Sequence, residues 1–194
     1  MNERVRVTNK ELLAESWGKL TRWSFDLQRR SGDWQSQIRE TYDRGDGAAT
    51  LLYNPEKATV VLIRQFRFPA YFNKESGYLL EVCAGKLDGD DPLTCAKKEA
   101  EEETGYRVSD VRVAFPKTYM SPGSVTERLW LFVARYDAAG KVSDGGGHVD
   151  EGEDIEVLEL PFAQALEMVQ SGEIRDGKTI MLLQYAALKR LISL

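Results

Sequence analysis

A mixed α/β fold is predicted by three features of this 194-residue chain. Several short segments alternate apolar and polar residues at the two-residue period of a strand. The continuous apolar run Val60 to Ile63 fits a strand covered on both faces, and two C-terminal stretches space their apolar residues as helices do. The composition, 42% hydrophobic and 29% charged, is that of an ordinary globular protein. A chain of this length can bury roughly 70% of its unfolded surface in one domain, or form one domain with a small appendage.

The elements follow in order. The opening "MNERVRVTNKELLAESW" places charges where a signal peptide needs an unbroken apolar stretch, and no later run reaches the length of a membrane span. Only two cysteines occur, Cys83 and Cys95. They are too few for a disulfide framework, so core thiols and a cytoplasmic location are expected. "TRWSFDLQRR" and "SQIRETYD" read as strands about a turn at Ser31, Gly32 and Asp33, because Trp23, Phe25 and Leu27 alternate with polar residues. This hairpin forms a predicted appendage, residues 1–44. The main domain, 45–194, begins with strands "AATLLYN" and "ATVVLIRQFR", divided by Asn54-Pro55. Further strands are predicted at "YLLEVC", "VRVAF", "RLWLFVARY" and "IEVLEL", and helices at "PFAQALEMVQSG" and "DGKTIMLLQYAALKRLISL". The glycines and acids of "SDGGGHVDEGED" predict a mobile loop that would serve as a lid. The net charge is −5, with Lys and Arg scattered. No surface for duplex nucleic acid or a membrane is expected, and small molecules are the expected partners.

The segment "AGKLDGDDPLTCAKKEAEEETGY", residues 84–106, is the richest in chemistry. Asp91 suits an N-cap, Pro92 the first helical position, and Gly105 the stop, with Leu93, Ala96 and Ala100 as an apolar face. At 100° per residue, Glu99, Glu102 and Glu103 fall within about a third of the circumference, while Glu101 points elsewhere. A solvated face is one explanation, since Lys97 and Lys98 stand four residues before Glu101 and Glu102. Yet Glu102 and Glu103 occupy the last turn, beside the negative end of the helix dipole, where acids are disfavoured. A divalent cation would offset this, and carboxylate oxygens suit Mg²⁺ or Mn²⁺.

At these residues the chain resembles the Nudix family, whose signature is G-x5-E-x7-R-E-U-x-E-E-x-G-U with U apolar. Gly85, Glu99, Ala100, Glu102, Glu103, Gly105 and Tyr106 match. Lys98 replaces the signature Arg, and the loop is one residue short, with Asp90 or Asp91 where the first Glu would lie. Beyond the signature, "YDRGDGAATLLYN", "VLIRQFR", "YMSPGSVTE", "EDIEVLELPFAQALEM" and "GEIRDGKTIMLLQY" look like the nucleotide-sugar branch, the GDP-mannose hydrolases, over nearly the whole chain after residue 16. The resemblance implies an α/β/α sandwich with a mixed sheet. It also implies a small N-terminal antiparallel β subdomain that pairs two subunits as a homodimer and brings Arg39 toward the partner's site. The implied reaction is Mg²⁺-dependent cleavage of GDP-mannose to GMP and mannose 1-phosphate, with Mn²⁺ as a substitute. Cleavage of ADP-ribose to AMP and ribose 5-phosphate is the alternative, and a nucleotide-sugar sensor without turnover is the rival of another class.

By resemblance, the metal ligands are the Ala84 carbonyl, Glu99 and Glu103, with Glu102 as a further ligand or an acid behind them and Lys98 orienting the set. Glu153 matches the loop acid that binds metal or positions the nucleophile. This loop is two residues longer here, and Glu151 is the alternative. His148 is a further candidate ligand or base, against the solvated role usual for a lone loop histidine. Trp17, Arg39, Glu40 and Arg67 match positions that contact the nucleotide or its phosphates. For Trp17 the alternative is a packed aromatic, and for the two arginines ordinary ion pairs. Glu127, after the Pro122-Gly123 break, is expected near the sugar or metal unless it merely closes a turn. Lys178 would reach a phosphate or else stand on the exposed first turn of the last helix.

Overall fold

The computed structural model describes residues 3–193, and the chain divides into two compact units. The first runs to Asp46 and takes in Tyr119–Arg128. It holds three strands, β1 (Val5–Glu15), β2 (Lys19–Gln28) and β3 (Trp34–Asp43), in an antiparallel sheet ordered β1-β2-β3. The predicted hairpin is β2 and β3, turning at Gly32 with φ 98°. The strand β1 is a correction to the sequence reading. Its "VRVTNKELLAE" lacks strict alternation, and every residue but Leu13 is exposed. Pairing with β2 places it, since Gly18 in the connecting turn lies so close to the Asp43 carbonyl and the Tyr42 ring that a Cβ would collide with both. Thr21 is the one residue of these strands that is fully buried. Packing instead relies on contacts such as the Arg6 guanidinium 3.9 Å above the Trp34 ring, and Trp23 Nε1 donating to Thr41 Oγ1 at 2.9 Å. Residues 119–128 join this unit where Tyr42 N donates to Ser124 O at 2.8 Å and Thr126 N to Tyr42 O at 3.0 Å.

The second unit contains the remaining strands, β4 (Gly47–Asn54), β5 (Thr59–Phe66), β6 (Tyr78–Glu81), β7 (Cys83–Lys86), β8 (Ser109–Thr118), β9 (Leu129–Arg135) and β10 (Glu156–Pro161). Its helices are α1 (Phe68–Phe72), α2 (Pro92–Thr104), α3 (Phe162–Ser171) and α4 (Gly177–Leu188). The sheet runs β10-β5-β4-β9-β8, with β6 on β5 and β7 on β4. The β4–β9 pair is parallel and the others antiparallel, so the sheet is mixed. Every residue of β4 is buried, as befits a strand paired on both edges and covered on both faces. Alternation along it divides the core. Leu51 and Tyr53 pack with Leu62, Phe162, Leu182 and Leu183 beneath α3 and α4. Leu52 packs with Val61, Cys83 and Ala100 beneath α2. A mixed sheet thus lies between helical layers, as expected. Cys83 and Cys95 are buried free thiols.

Two boundaries differ from the sequence reading. The "YLLEVC" segment is not one strand but β6 and β7, since the chain changes partner from β5 to β4 at Val82. The Val82 N–H, lost to the ladder there, donates to Thr179 Oγ1 at 2.8 Å. The last helix ends at Leu188 rather than continuing to 194, a position outside the described residues.

Candidate active site

The helix α2 begins as its sequence dictates. Asp91 Oδ1 accepts from the N–H groups of Leu93 and Thr94 at 3.0 and 3.1 Å, Pro92 follows, and Gly105 closes the helix at φ 76°. Cys95, Ala96 and Ala100 face the sheet, whereas Leu93 is 41% exposed and does not belong to that face. Placing the small Ala100 against Leu52 and Cys83 seats the last turn deeply, so Glu103 follows it inward and is only 2% exposed.

Glu103 Oε2 accepts a 2.9 Å hydrogen bond from the Ala84 N–H on β7. Burial raises the pKa of this carboxyl, the Ala84 bond opposes the rise, and the charges of Glu99 and Glu153 add to it, pushing Glu103 up to about 8. The Glu99 carboxylate lies against the backbone of Gly85, so closely that a Cβ there would run into it. A side chain at 85 would therefore displace the Glu99 carboxylate from this position. Glu102 is turned to the loop side, with Lys98 Nζ at 3.8 Å and His148 Nε2 at 3.2 Å.

The glycine-rich segment does not behave as the free lid expected from composition. It folds over the C-terminal end of α2, where carbonyls lack intrahelical partners. Gly146 N donates to Glu103 O at 3.0 Å, Gly147 N to Glu102 O at 3.2 Å and Val142 N to Gly105 O at 2.8 Å, while Lys141 Nζ reaches Thr104 O at 3.1 Å. The Lys141 cation and these N–H dipoles offset the negative helix end that the acids worsen. Three successive positive φ angles, at Gly145, Gly146 and Gly147, allow this path. Anchoring the loop brings Glu153 back, its Oε2 accepting from His148 N at 2.8 Å. Glu151 lies in a short 3₁₀ turn, Val149–Glu151, and its side chain is outside the described residues.

Beside the acids stands a second, neutral cluster. Arg67, before α1, donates Nε to Glu81 Oε1 at 2.7 Å and Nη2 to Oε2 at 3.1 Å. Lys178 Nζ also bonds Glu81 Oε2 and reaches Asp176 Oδ1 at 2.9 Å. Burial alone would raise Glu81, but Lys178 and Arg67 outweigh it and hold the carboxylate below its ordinary range. Lys178 is 9% exposed, so of its two readings the exposed first turn is ruled out: Asp176 caps the helix and draws the lysine in. Glu81 itself escaped the sequence reading. Its one signal was an acid inside an apolar strand.

Among the predicted substrate residues, Trp17, Arg39, Glu40 and Glu127 belong to the first unit. Trp17 is 84% exposed, so it is not a packed core aromatic. Arg39 donates Nη1 to Ile38 O at 2.7 Å, Glu40 pairs with Arg22 at 3.0 Å, and Glu127 lies 3.5 Å from Arg44. In the second unit the charges of Glu99, Glu153 and Arg67 all act on Glu103.

Among the described residues, no three His, Cys, Asp or Glu side chains are gathered tightly enough to hold a metal ion alone. The donor chemistry nonetheless fits a hard cation. Mg²⁺ takes one or two carboxylates and fills its shell with water and substrate phosphate rather than with an all-protein cage. Burial and the charges of Glu99 and Glu153 both disfavour a bare carboxylate at Glu103, and a divalent cation held there would offset that repulsion.

Comparison with known proteins places this geometry in a family. Residues 43–181 match the model of the NUDIX domain, and residues 4–42 match that of the GDP-mannose pyrophosphatase NudK N-terminal domain. A GDP-mannose pyrophosphatase of Pectobacterium atrosepticum is 54% identical over 190 residues, covering 97% of each chain. One of Escherichia coli is 50% identical over 193 residues, 99% of this chain and 100% of that protein. The crystal structure of an ADP compounds hydrolase superposes with a TM-score of 0.71 at 18% identity, covering 97% of this chain and 96% of that one, which shows a shared fold. With its signature acids on α2 and a matching domain over most of its length, the chain belongs to the Nudix family.

Proposed function

We propose that this protein hydrolyses the pyrophosphate bond of GDP-mannose, giving GMP and mannose 1-phosphate, with Mg²⁺ bound at the α2 acids and Mn²⁺ able to replace it. The substrate rests on the relatives at 50–54% identity along almost the entire chain. The chemistry rests on one observation: Glu103 is buried at the end of α2 and hydrogen-bonded to the Ala84 N–H, with the charges of Glu99 and Glu153 acting on it. The Nudix family is generally dependent on divalent metal.

Glu99, Glu103 and the Ala84 carbonyl would hold the cation, Glu153 from the loop would complete the set, and Glu102 stands behind them. When bound, the ion neutralises the pyrophosphate oxygens and acidifies water. Glu153, or Glu102 through its neighbours, accepts the proton of the attacking water. One P–O bond forms to that water oxygen and the bridging P–O bond breaks, leaving two monophosphates. Arg67 and Lys178 supply cations for the substrate phosphates. Trp17, Arg39, Glu40 and Glu127 of the first unit bind the nucleotide and sugar. Homodimer formation through the N-terminal sheet is part of the reading. It is supported by Val7, Leu12 and Ile38, which are 61%, 52% and 60% exposed on strands with almost no core of their own. A cytoplasmic setting is supported by two buried free thiols. Among the described residues no helix is long and apolar enough to cross a membrane.

The test is turnover of GDP-mannose by purified protein after removal of divalent ions with EDTA and re-addition of Mg²⁺, with products separated by chromatography. Loss and recovery of GMP and mannose 1-phosphate are expected. Full turnover in EDTA, or release of guanosine diphosphate with free mannose, would refute the proposal.

A further inference from the structure

Glu81 lies one residue before the point where the chain changes partner strands, and it is 2% exposed with both carboxylate oxygens engaged. Burying a charge without exact compensation is costly, and here two cations, Arg67 and Lys178, face two anions, Glu81 and Asp176. Stability is a weak reason for such a set, because apolar residues of equal volume are often as stable. What a planar two-bond pair supplies that apolar packing cannot is orientation.

The chain of contacts explains what is oriented. Asp176 Oδ2 accepts from Thr179 N and Oγ1 at 3.0 and 2.6 Å, and Thr179 Oγ1 accepts from Val82 N. Glu81 is thus fixed from α4 and from its own strand before it grips Arg67. Its grip uses the Nε side of the guanidinium, which leaves the Nη1 side of the fork for a ligand. Arg67 is also within electrostatic influence of Glu103, so the group so held stands beside the candidate metal acids.

We infer that Glu81 is a positioning residue: it clamps one side of the Arg67 guanidinium and thereby aims the other side at a substrate phosphate. The inference rests on the reading of Arg67 as a phosphate contact. Lys178, with two of its three protons taken by Glu81 and Asp176, is mainly a second support of that carboxylate and only through its remaining proton a contact for substrate.

The experiment is a double-mutant cycle on GDP-mannose hydrolysis with Arg67→Ala, Glu81→Gln and both together, each checked by thermal melting. Arg67→Ala is expected to raise KM at least about tenfold with a smaller change in kcat, and Glu81→Gln to raise KM by a similar factor. The double variant should then be within about threefold of Arg67→Ala alone, because the carboxylate has nothing left to aim. Should Glu81→Gln fail to fold, Glu81→Asp takes its place in the cycle. It keeps the buried charge but is one methylene too short to grip both nitrogens from the same backbone. Wild-type KM in the Glu81 variant, or losses that multiply in full, would overturn the positioning role while leaving the Arg67 contact standing. An unchanged KM in Arg67→Ala would remove the phosphate contact itself, and the positioning role with it.

Discussion

The Ala84 N–H and Glu103 Oε2, 2.9 Å apart, join strand β7 to the last turn of α2. This one bond places a buried carboxylate beside the Ala84 main chain, whose carbonyl is the proposed second donor to the metal. It partly compensates the acid without neutralising it, since Glu103 remains raised to about 8.

Removing that charge is the first prediction. Glu103→Gln keeps the shape and can still accept from Ala84, so the fold should persist and melt no lower than the wild type in EDTA. Activity in Mg²⁺ should fall by about 10³-fold or more, the scale of a lost transition-state charge contact. Steady-state rates on GDP-mannose check it, and wild-type turnover would remove Glu103 from the metal site.

A pH dependence follows from the same residue. The folded state keeps a proton on Glu103 that the unfolded chain has already released above the ordinary carboxylate range. Stability without metal should therefore fall as pH rises from about 5 toward 8, by at most about 1.4 kcal/mol per unit. Glu81 has the opposite sign, its contribution being present above the ordinary carboxylate pKa and lost in acid as pH falls from there through its depressed one. Melting wild type and Glu103→Gln in EDTA at pH 6 and pH 8 isolates the term. The wild type should lose more, and Mg²⁺ should raise its melting temperature more at pH 8. A wild type that gains stability relative to Glu103→Gln over this range would contradict the burial argument.

The loop offers a different handle. Gly147 has φ 73°, and a Cβ there would run into the Glu153 carboxylate. Gly147→Ala should cost about 1 kcal/mol from the left-handed backbone, or about 2–4 °C in melting temperature. Its loss of kcat should be larger, at least about tenfold, because Glu153 must move. Unaltered kcat at saturating Mg²⁺ would show that the position of Glu153 is immaterial.

Much of this was legible in local sequence. Asp91-Pro92 and Gly105 marked both ends of α2, and the crowding of Glu102 and Glu103 at a helix terminus announced a charge problem. The solution was less legible. The hydrogen bonds from Gly146 and Gly147 to the helix end depend on a fold that brings residues some 44 positions apart together, and composition read the same glycines as mobile. Lys178 and Glu81 are 97 apart in sequence. The acid in "YLLEVC" carries no local sign of its partner, and the lysine after "RDG" reads equally as a phosphate contact or an exposed first-turn residue, until the sheet closes them on one another. The strand β1 was missed because pairing, rather than burial, defines it.

Assembly gives a fourth prediction. A three-stranded sheet with one buried residue among its strands is too thin to be stable alone, so deletion of residues 1–44 should abolish both a dimeric mass and activity. Light scattering and GDP-mannose turnover read the two. An active full-length monomer would leave the sheet as a cap within one chain.

The most direct test of the account is substrate choice under matched Mg²⁺, comparing kcat/KM for GDP-mannose, GDP-glucose, ADP-ribose and ADP-mannose. A site that hydrogen-bonds the guanine edge rejects adenine strongly, because adenine leaves buried polar groups unpaired. GDP-mannose should therefore lead both adenine nucleotides. A preference for ADP-ribose over GDP-mannose by more than about tenfold, about 1.4 kcal/mol in transition-state stabilisation, would contradict the assignment while leaving the Nudix chemistry of Glu99, Glu103 and Glu153 in place.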